Sequence, residues 1–282
     1  VISSGAGHDV VLGDSGQVMS DNVVAGGNDI ESLYVDEFGV DSIRAGAGND
    51  IVIGGTGTDT LAGDAGDDVV LGDNGTLRRA LGVFAAETIL RIETTFEASG
   101  DDDLLDTVDA DANVGGDSER SLGNDILIGG VGEDTLQGGS DVANDTLLGD
   151  NGVVVRADGN TDANDIYSTD PSRGGVDHIV GGPGDDLIIG GSHFDYGGAL
   201  TADDVLDGGR GADIILGDNG YIRRGAGDVH ERIISGVVVD AGGATIDAPE
   251  FGGDDTINGD EQIDHVIGGV GNDSIKGGPD NA

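Results

Sequence analysis

Between Gly39 and Leu71 the chain alternates glycine-rich polar stretches with short apolar ones at a fixed interval. Ile43, Val52, Leu61 and Val70 fall nine residues apart, and each stands two places after an aspartate: Asp41, Asp50, Asp59 or Asp68. A run such as Thr60-Leu61-Ala62 reads as a short strand that sends its middle side chain inward and its neighbours outward. The glycines of GGTGTD before it permit the positive φ and close backbone approach of a tight turn. Self-similarity at so short a period implies a solenoid rather than a globule, with one core residue per repeat. Coils stacked at about 4.8 Å predict a long, narrow rod.

The pattern recurs along the chain. Ser4 to Leu12 forms a first repeat around Asp9 and Val11. A second group carries Asp125, Asp134 and Asp145 with Leu127, Leu136 and Leu147, and a third carries Asp177, Asp186, Asp204 and Asp213 with Ile179, Ile188, Leu206 and Ile215. The last has Asp255, Asp264 and Asp273 with Ile257, Val266 and Ile275. Asp29 lies in a degenerate repeat with Glu31 at the core position, which leaves its role open. Asp195 is in phase but has Gly197 at the core position, so Ser192 to Ala202 reads as a loop bulging from one turn.

The motif LGDNG, at 71–75, 148–152 and 216–220, and its relative LGDSG at 12–16, interrupt the period: the residue due to be the next aspartate is Leu77, Val154, Ile222 or Val18. Asp-Asn and Asn-Gly favour left-handed turn conformations, so each motif is expected to turn the chain out of the solenoid into an excursion. Solenoid blocks are placed at about 4–75, 123–152, 174–220 and 252–278, and excursions at about 76–122, 153–173 and 221–251. β-branched residues dominate the excursions, so paired strands are expected there rather than helices. Most of the arginine also lies there, either offsetting the acidic solenoid or forming a recognition or self-association surface. The run Asp101 to Asp103 reads as a solvated cluster in a loop. The LGD motifs follow one another at 59, 77 and 68 residues, a higher-order repeat.

Composition turns this fold into one that needs cations. The 282 residues carry a formal charge of −44 and only 3% aromatic residues, which without bound ions describes a disordered chain. The 56 acids comprise 46 aspartates and 10 glutamates, a bias toward the side chain that suits tight turns and metal loops. Carboxylates and turn carbonyls supply the six to eight oxygens that calcium requires, whereas cysteine is absent and the five histidines lack zinc spacing. No nucleophile motif such as GxSxG occurs, no glycine-rich string is followed by the helix a phosphate site needs, and no apolar run is long enough for a membrane span. Catalysis is therefore not expected, and the negative charge argues against nucleic acid as a partner.

AGAGNDIVI, GGTGTDTLA and GDAGDDVVL resemble the repeats-in-toxin (RTX) nonapeptide GGxGxDxUx. The resemblance implies an all-β parallel β-roll with two nonapeptides per coil and calcium between aspartates of successive coils on one edge. Asp41 with Asp59 and Asp50 with Asp68 stand eighteen residues apart, as that requires, and Asp177 with Asp204 and Asp186 with Asp213 pair across the bulge. The implied calcium ligands are Asp9, Asp41, Asp50, Asp59, Asp68, Asp125, Asp134, Asp145, Asp177, Asp186, Asp204, Asp213, Asp255, Asp264 and Asp273.

The function expected is structural: a calcium-stiffened segment of a secreted bacterial surface protein, adhesin stalk or extracellular filament, exported unfolded by a type I route and folding outside. The alternative is an accessory roll of a secreted enzyme or toxin. The chain starts and stops within repeats, which suggests a piece of something longer. Exposed terminal coils further predict end-to-end stacking with other copies.

Overall fold

The computed structural model describes residues 1–19, 29–33, 39–79, 89–95, 103–106, 123–140, 142–155, 165–192, 204–224, 230–239, 245–247 and 251–279; Asp195 lies outside them. Among these residues there is no helix, so none that could cross a membrane. The strands form three stacked sheets.

A front sheet holds β1 (Ile2–Ala6), β5 (Ser42–Ala47), β7 (Thr60–Ala65), β11 (Leu104–Asp106), β13 (Thr135–Gln137), β17 (His178–Pro183), β19 (Val205–Arg210), β25 (Thr256–Asn258) and β27 (Ser274–Lys276), all parallel. A middle sheet holds β2 (Val10–Leu12), β6 (Ile51–Ile53), β8 (Val69–Leu71), β12 (Ile126–Gly130), β14 (Thr146–Asp150), β18 (Leu187–Gly191), β20 (Ile214–Asp218) and β26 (His265–Ile267), again parallel. The chain alternates between the two, so each coil contributes one strand to each. This is the β-roll, and its register aligns the repeats: Ile43 pairs with Leu61 and Val52 with Val70.

The excursions are hairpins: β3 (Gly16–Val18) with β4 (Ile30–Ser32), β9 (Gly75–Arg79) with β10 (Ile89–Thr94), β15 (Gly152–Val155) with β16 (Asp165–Ser168), and β21 (Gly220–Arg224) with β22 (His230–Ser235). They pair side by side into one antiparallel sheet of eight strands. A small ribbon, β23 (Val237–Val239) with β24 (Thr245–Asp247), follows the last of them. β3 and β4 fall within 4–75, and β11 of the front sheet falls within 76–122.

The hairpin sheet covers the outer side of the middle sheet. Ile30, Leu77, Ile92, Val154, Ile166 and Ile222 pack on Ile51, Ile53, Leu71, Ile128, Leu148, Ile189 and Leu216 in one cluster, while Val52, Leu61, Val70, Leu127 and Leu136 pack between front and middle sheets in another. One core residue per repeat therefore holds only for the front sheet, where Thr60-Leu61-Ala62 is buried at Leu61 alone. In the middle sheet Ile51-Val52-Ile53 and Val69-Val70-Leu71 are buried throughout, because both faces are covered.

Every second middle strand leads into a hairpin: β2, β8, β14 and β20 do, and β6, β12, β18 and β26 do not. The reason is width. A hairpin is two strands across and a coil advances one strand, so four hairpins lay eight strands over the eight of the middle sheet. The unequal sequence intervals are thus equal in space.

Nine front strands at about 4.8 Å span roughly 40 Å, because a large share of the chain is spent on the hairpin layer. Ile128, fully buried between middle and hairpin sheets, tests that layer. Ile128→Ala should cost about 2–5 kcal/mol in calcium-saturated denaturant unfolding, whereas Thr60→Ala on the exposed front face should stay within about 0.5 kcal/mol.

Candidate metal sites

The aspartates that close the turns form two rows, one along each edge of the roll. On the edge entering the middle sheet, the backbone N–H of Asp9 donates to Asp50 Oδ1, Asp50 to Asp68, Asp68 to Asp125, Asp125 to Asp145, Asp145 to Asp186, Asp186 to Asp213 and Asp213 to Asp264, at 2.7–3.1 Å. On the edge entering the front sheet the row runs Asp41, Asp59, Asp103, Asp134, Asp177, Asp204, Asp255, Asp273, at 2.7–3.2 Å. Every sequence-predicted site residue takes a place in one row or the other. Asp29 does not; it is buried at the start of β4 in the hairpin sheet, and its carbonyl accepts from Met19 N–H.

The rows contain one residue that sequence reasoning missed. Asp103, whose run of three aspartates reads as a solvated cluster, is only 4% exposed and continues the row between Asp59 and Asp134. It lacks a GGxG stretch before it, but Leu105 two places on was the available signal: it pairs with Leu61 and Leu136 in the front sheet.

Each carboxylate after the first of its row thus spends Oδ1 on the preceding coil. The Oδ2 atoms of Asp50, Asp59, Asp68, Asp177, Asp213 and Asp255 are buried and accept no hydrogen bond. They lie against glycines of the turns: a Cβ on Gly54 would collide with Asp59 Oδ2 and with the Gly72 carbonyl oxygen, and one on Gly217 with Asp255 Oδ2 and the Gly268 carbonyl oxygen. Gly55 and Gly57, at φ +114° and +128°, hold the turn that brings these oxygens together. Burial with like-charged neighbours raises the carboxyl pKa values, desolvation contributing most. Asp59 is pushed up to about 6, Asp213 to about 7, and Asp68 and Asp255 to about 8. Asp177 is driven well above the usual carboxylate range by burial and by Asp150, Asp204 and Asp134. Buried carboxylate oxygens without donors, next to backbone carbonyls and with no soft ligand nearby, fit a hard cation bound through oxygen.

The LGDNG motif uses all of its residues. Asp150 accepts from Gly175 N–H, where the chain returns from its hairpin, at 3.1 Å, and from Ser192 N–H of the next coil. Asp218 does the same with Gly253 N–H, at 2.9 Å, and Val270 N–H. Asp73 accepts from Val131 N–H and Asp14 from Thr56 N–H. These carboxylates staple the mouth of a hairpin to the roll, and burial raises Asp218 to about 7. The asparagine carbonyl closes the hairpin, Asn74 accepting from Thr95 N–H and Asn151 from Thr169 N–H. The leucine packs under the hairpin sheet, and the last glycine leaves room for it: a Cβ on Gly152 would collide with Leu148 Cδ2 and stand 2.9 Å from the Tyr167 carbonyl oxygen. Gly152→Ala should therefore cost about 1–3 kcal/mol of calcium-saturated stability, with faster hydrogen exchange in β15 and β16 as the local signature.

No curated protein and no solved structure matches the chain. A family profile does: that of the RTX calcium-binding nonapeptide repeat (4 copies), over residues 1–17, 37–76, 121–153, 173–195, 199–221 and 251–281. The matched segments cover more than half of the chain and carry both rows of aspartates except Asp103, and the gaps hold most of the hairpin sheet. The protein thus belongs to the RTX calcium-binding nonapeptide-repeat family, as a β-roll carrying an added sheet of hairpins.

Proposed function

We propose that this chain is a non-catalytic structural segment of a secreted bacterial surface protein or extracellular filament, held folded by calcium. The observation that carries the reading is the pair of unbroken carboxylate rows, with buried Oδ2 atoms at Asp50, Asp59, Asp68, Asp177, Asp213 and Asp255 that accept no hydrogen bond. Asp9, Asp50, Asp68, Asp125, Asp145, Asp186, Asp213 and Asp264 would hold ions along one edge, and Asp41, Asp59, Asp103, Asp134, Asp177, Asp204, Asp255 and Asp273 along the other. Calcium supplies the positive charge that lets these carboxylates stay ionised while buried. Sites of this open, extracellular kind bind at roughly 0.1–1 mM, so the chain stays unfolded where calcium is scarce and folds where it is plentiful, which suits export as an unfolded chain.

A specific regularity supports end-to-end assembly as part of this role. The N–H of each motif's last glycine donates to a hydroxyl of the preceding hairpin: Gly75 to Ser32, Gly152 to Thr94 and Gly220 to Ser168. Ser235 is the equivalent residue of the last hairpin, and its hydroxyl is buried without a partner. Gly16, the equivalent glycine of the first motif, lies on the edge strand β3 at the other end of the sheet. Head-to-tail copies would bring the β3 edge of one to the β22 edge of the next and continue all three sheets.

Electron microscopy and sedimentation at millimolar calcium test the reading together. Filaments that shorten in Ser235→Arg support it. Monomeric particles at high protein concentration would remove assembly and favour an accessory module of a larger secreted protein.

A further inference from the structure

The outward face of the hairpin sheet differs in chemistry from the rest of the molecule. Of the 12 Lys and Arg residues in the chain, four stand outward on its strands: Arg78, Arg91, Arg223 and Arg232. Within two hairpins arginines stand directly opposite each other, Arg78 to Arg91 and Arg223 to Arg232. Like charges in directly opposed positions destabilise an antiparallel pair, and a chain with 56 acids had ample means to avoid both pairs. The two pairs lie in one row across the sheet, joined through Val155 and Asp165, with Arg91 opposite Val155 and Asp165 opposite Arg223.

Beside this row runs an aromatic one. Tyr167 and Tyr221, two of only four tyrosines, are directly opposite each other with ring centroids 6.1 Å apart. Arg91 is ion-paired to Glu93 of the same face at 2.9 Å, and its Nη1 donates to the Tyr167 hydroxyl at 3.2 Å, which ties the rows together. Ile92, Ile166 and Ile222, which alternate with these residues, point into the core, so the arginines and tyrosines share the opposite face. Arg232 is exposed, and Arg78 is half-buried, with its Nε atom shielded from solvent.

We infer that this face binds an acidic polysaccharide laid across the hairpins. Guanidinium pairs bind carboxylate or sulfate groups in a bidentate manner, and adjacent tyrosine rings offer flat, amphipathic surfaces for sugar rings. Charge complementarity is local: within a chain of −44 this is where cations concentrate. A polymer with about one charge per sugar ring pairs with the arginine row while adding little repulsion from the carboxylate edges. A nucleic acid, with one charge per roughly 1.7 Å of duplex, would meet far more of it.

The test uses calcium-saturated full chain and chondroitin sulfate oligosaccharides, which carry both anion types, in calorimetric titration. Arg78→Gln/Arg232→Gln should bind at least tenfold more weakly, Arg210→Gln on the front sheet should bind as the parent does, and all should give the same circular dichroism. The double variant should also melt at the same temperature as the parent or higher, since it relieves both opposed pairs. The inference is overturned by absence of parent binding at millimolar oligosaccharide, by equal binding of the double variant, by equal loss in Arg210→Gln, or by a lower melting temperature of the double variant. Neutral dextran or single-stranded DNA binding as tightly as the acidic glycan would overturn it as well.

Discussion

Withdrawing calcium at pH 8 is expected to convert the protein from sheet to coil in one cooperative step, restored by calcium in the sub-millimolar to millimolar range. Each row places eight aspartates on successive coils, giving seven neighbouring contacts per edge. Two charges about 5 Å apart at an effective dielectric near 20 repel by about 3 kcal/mol. Summed over both rows, the repulsion reaches tens of kcal/mol, against the roughly 5–15 kcal/mol by which domains are ordinarily stable. Far-UV circular dichroism during a titration from chelator into calcium reads the transition. A chelated protein that kept its full sheet signal at pH 8 would show that the apolar layers suffice alone, and the structural reading of the aspartates would be wrong.

Acid should substitute in part for calcium. In the metal-free fold Asp59 titrates at about 6, Asp213 and Asp218 at about 7, and Asp68 and Asp255 at about 8. The same groups in the unfolded chain titrate near the model-peptide value of about 3.9. Between those limits the folded chain binds more protons than the unfolded one, so the stability of the metal-free fold falls as pH rises from about 4 to about 8. Chelated protein should therefore gain sheet signal as pH is lowered through that window, and gain no more below it. Calcium-saturated protein should show the opposite trend, because protons compete for the same oxygens. Asp177→Asn separates the two effects at one site: it should favour the chelated fold at pH 8 while weakening the calcium-loaded one. A chelated protein whose sheet signal is flat from pH 8 to pH 4 would contradict the burial of these carboxylates.

The roll and its aspartates were legible because one constraint repeats. Each coil needs an inward apolar residue and a turn that presents oxygen, and Asp-x-Leu/Ile/Val after glycine writes that need at fixed spacing. Asp177 with Asp204 and Asp186 with Asp213 could even be paired across an insertion. The second apolar layer was equally written but went unread. Ile51 and Ile53, Val69 and Leu71, and Ile126 and Ile128 flank their core residues with apolar side chains, where Ser42 and Arg44 or Thr135 and Gln137 do not. That alternation marks middle strands, covered on both faces, from front strands covered on one. Asp103 escaped because its turn is broken by a hairpin, so the glycine half of its repeat lies at Gly72 and the aspartate half some thirty residues on. Asp14, Asp73, Asp150 and Asp218 stand in the sequence as turn formers only. Their acceptor role depends on which N–H groups the next coil brings near, and local sequence does not state that.

The two-for-one match between hairpin strands and coils also limits how such a protein can change length. Two lattices with a common 4.8 Å spacing stay commensurate only if they grow together, so the smallest inheritable step is a pair of coils with its LGDNG hairpin. Loss or duplication of a single coil would shift every later hairpin by one strand, exposing an apolar strip of the middle sheet at one end and leaving a hairpin strand unsupported at the other. Hairpin tips escape this constraint, because their length does not alter the spacing beneath. Variation among related chains should therefore accumulate at the tips and in whole units, while the count of middle strands remains even.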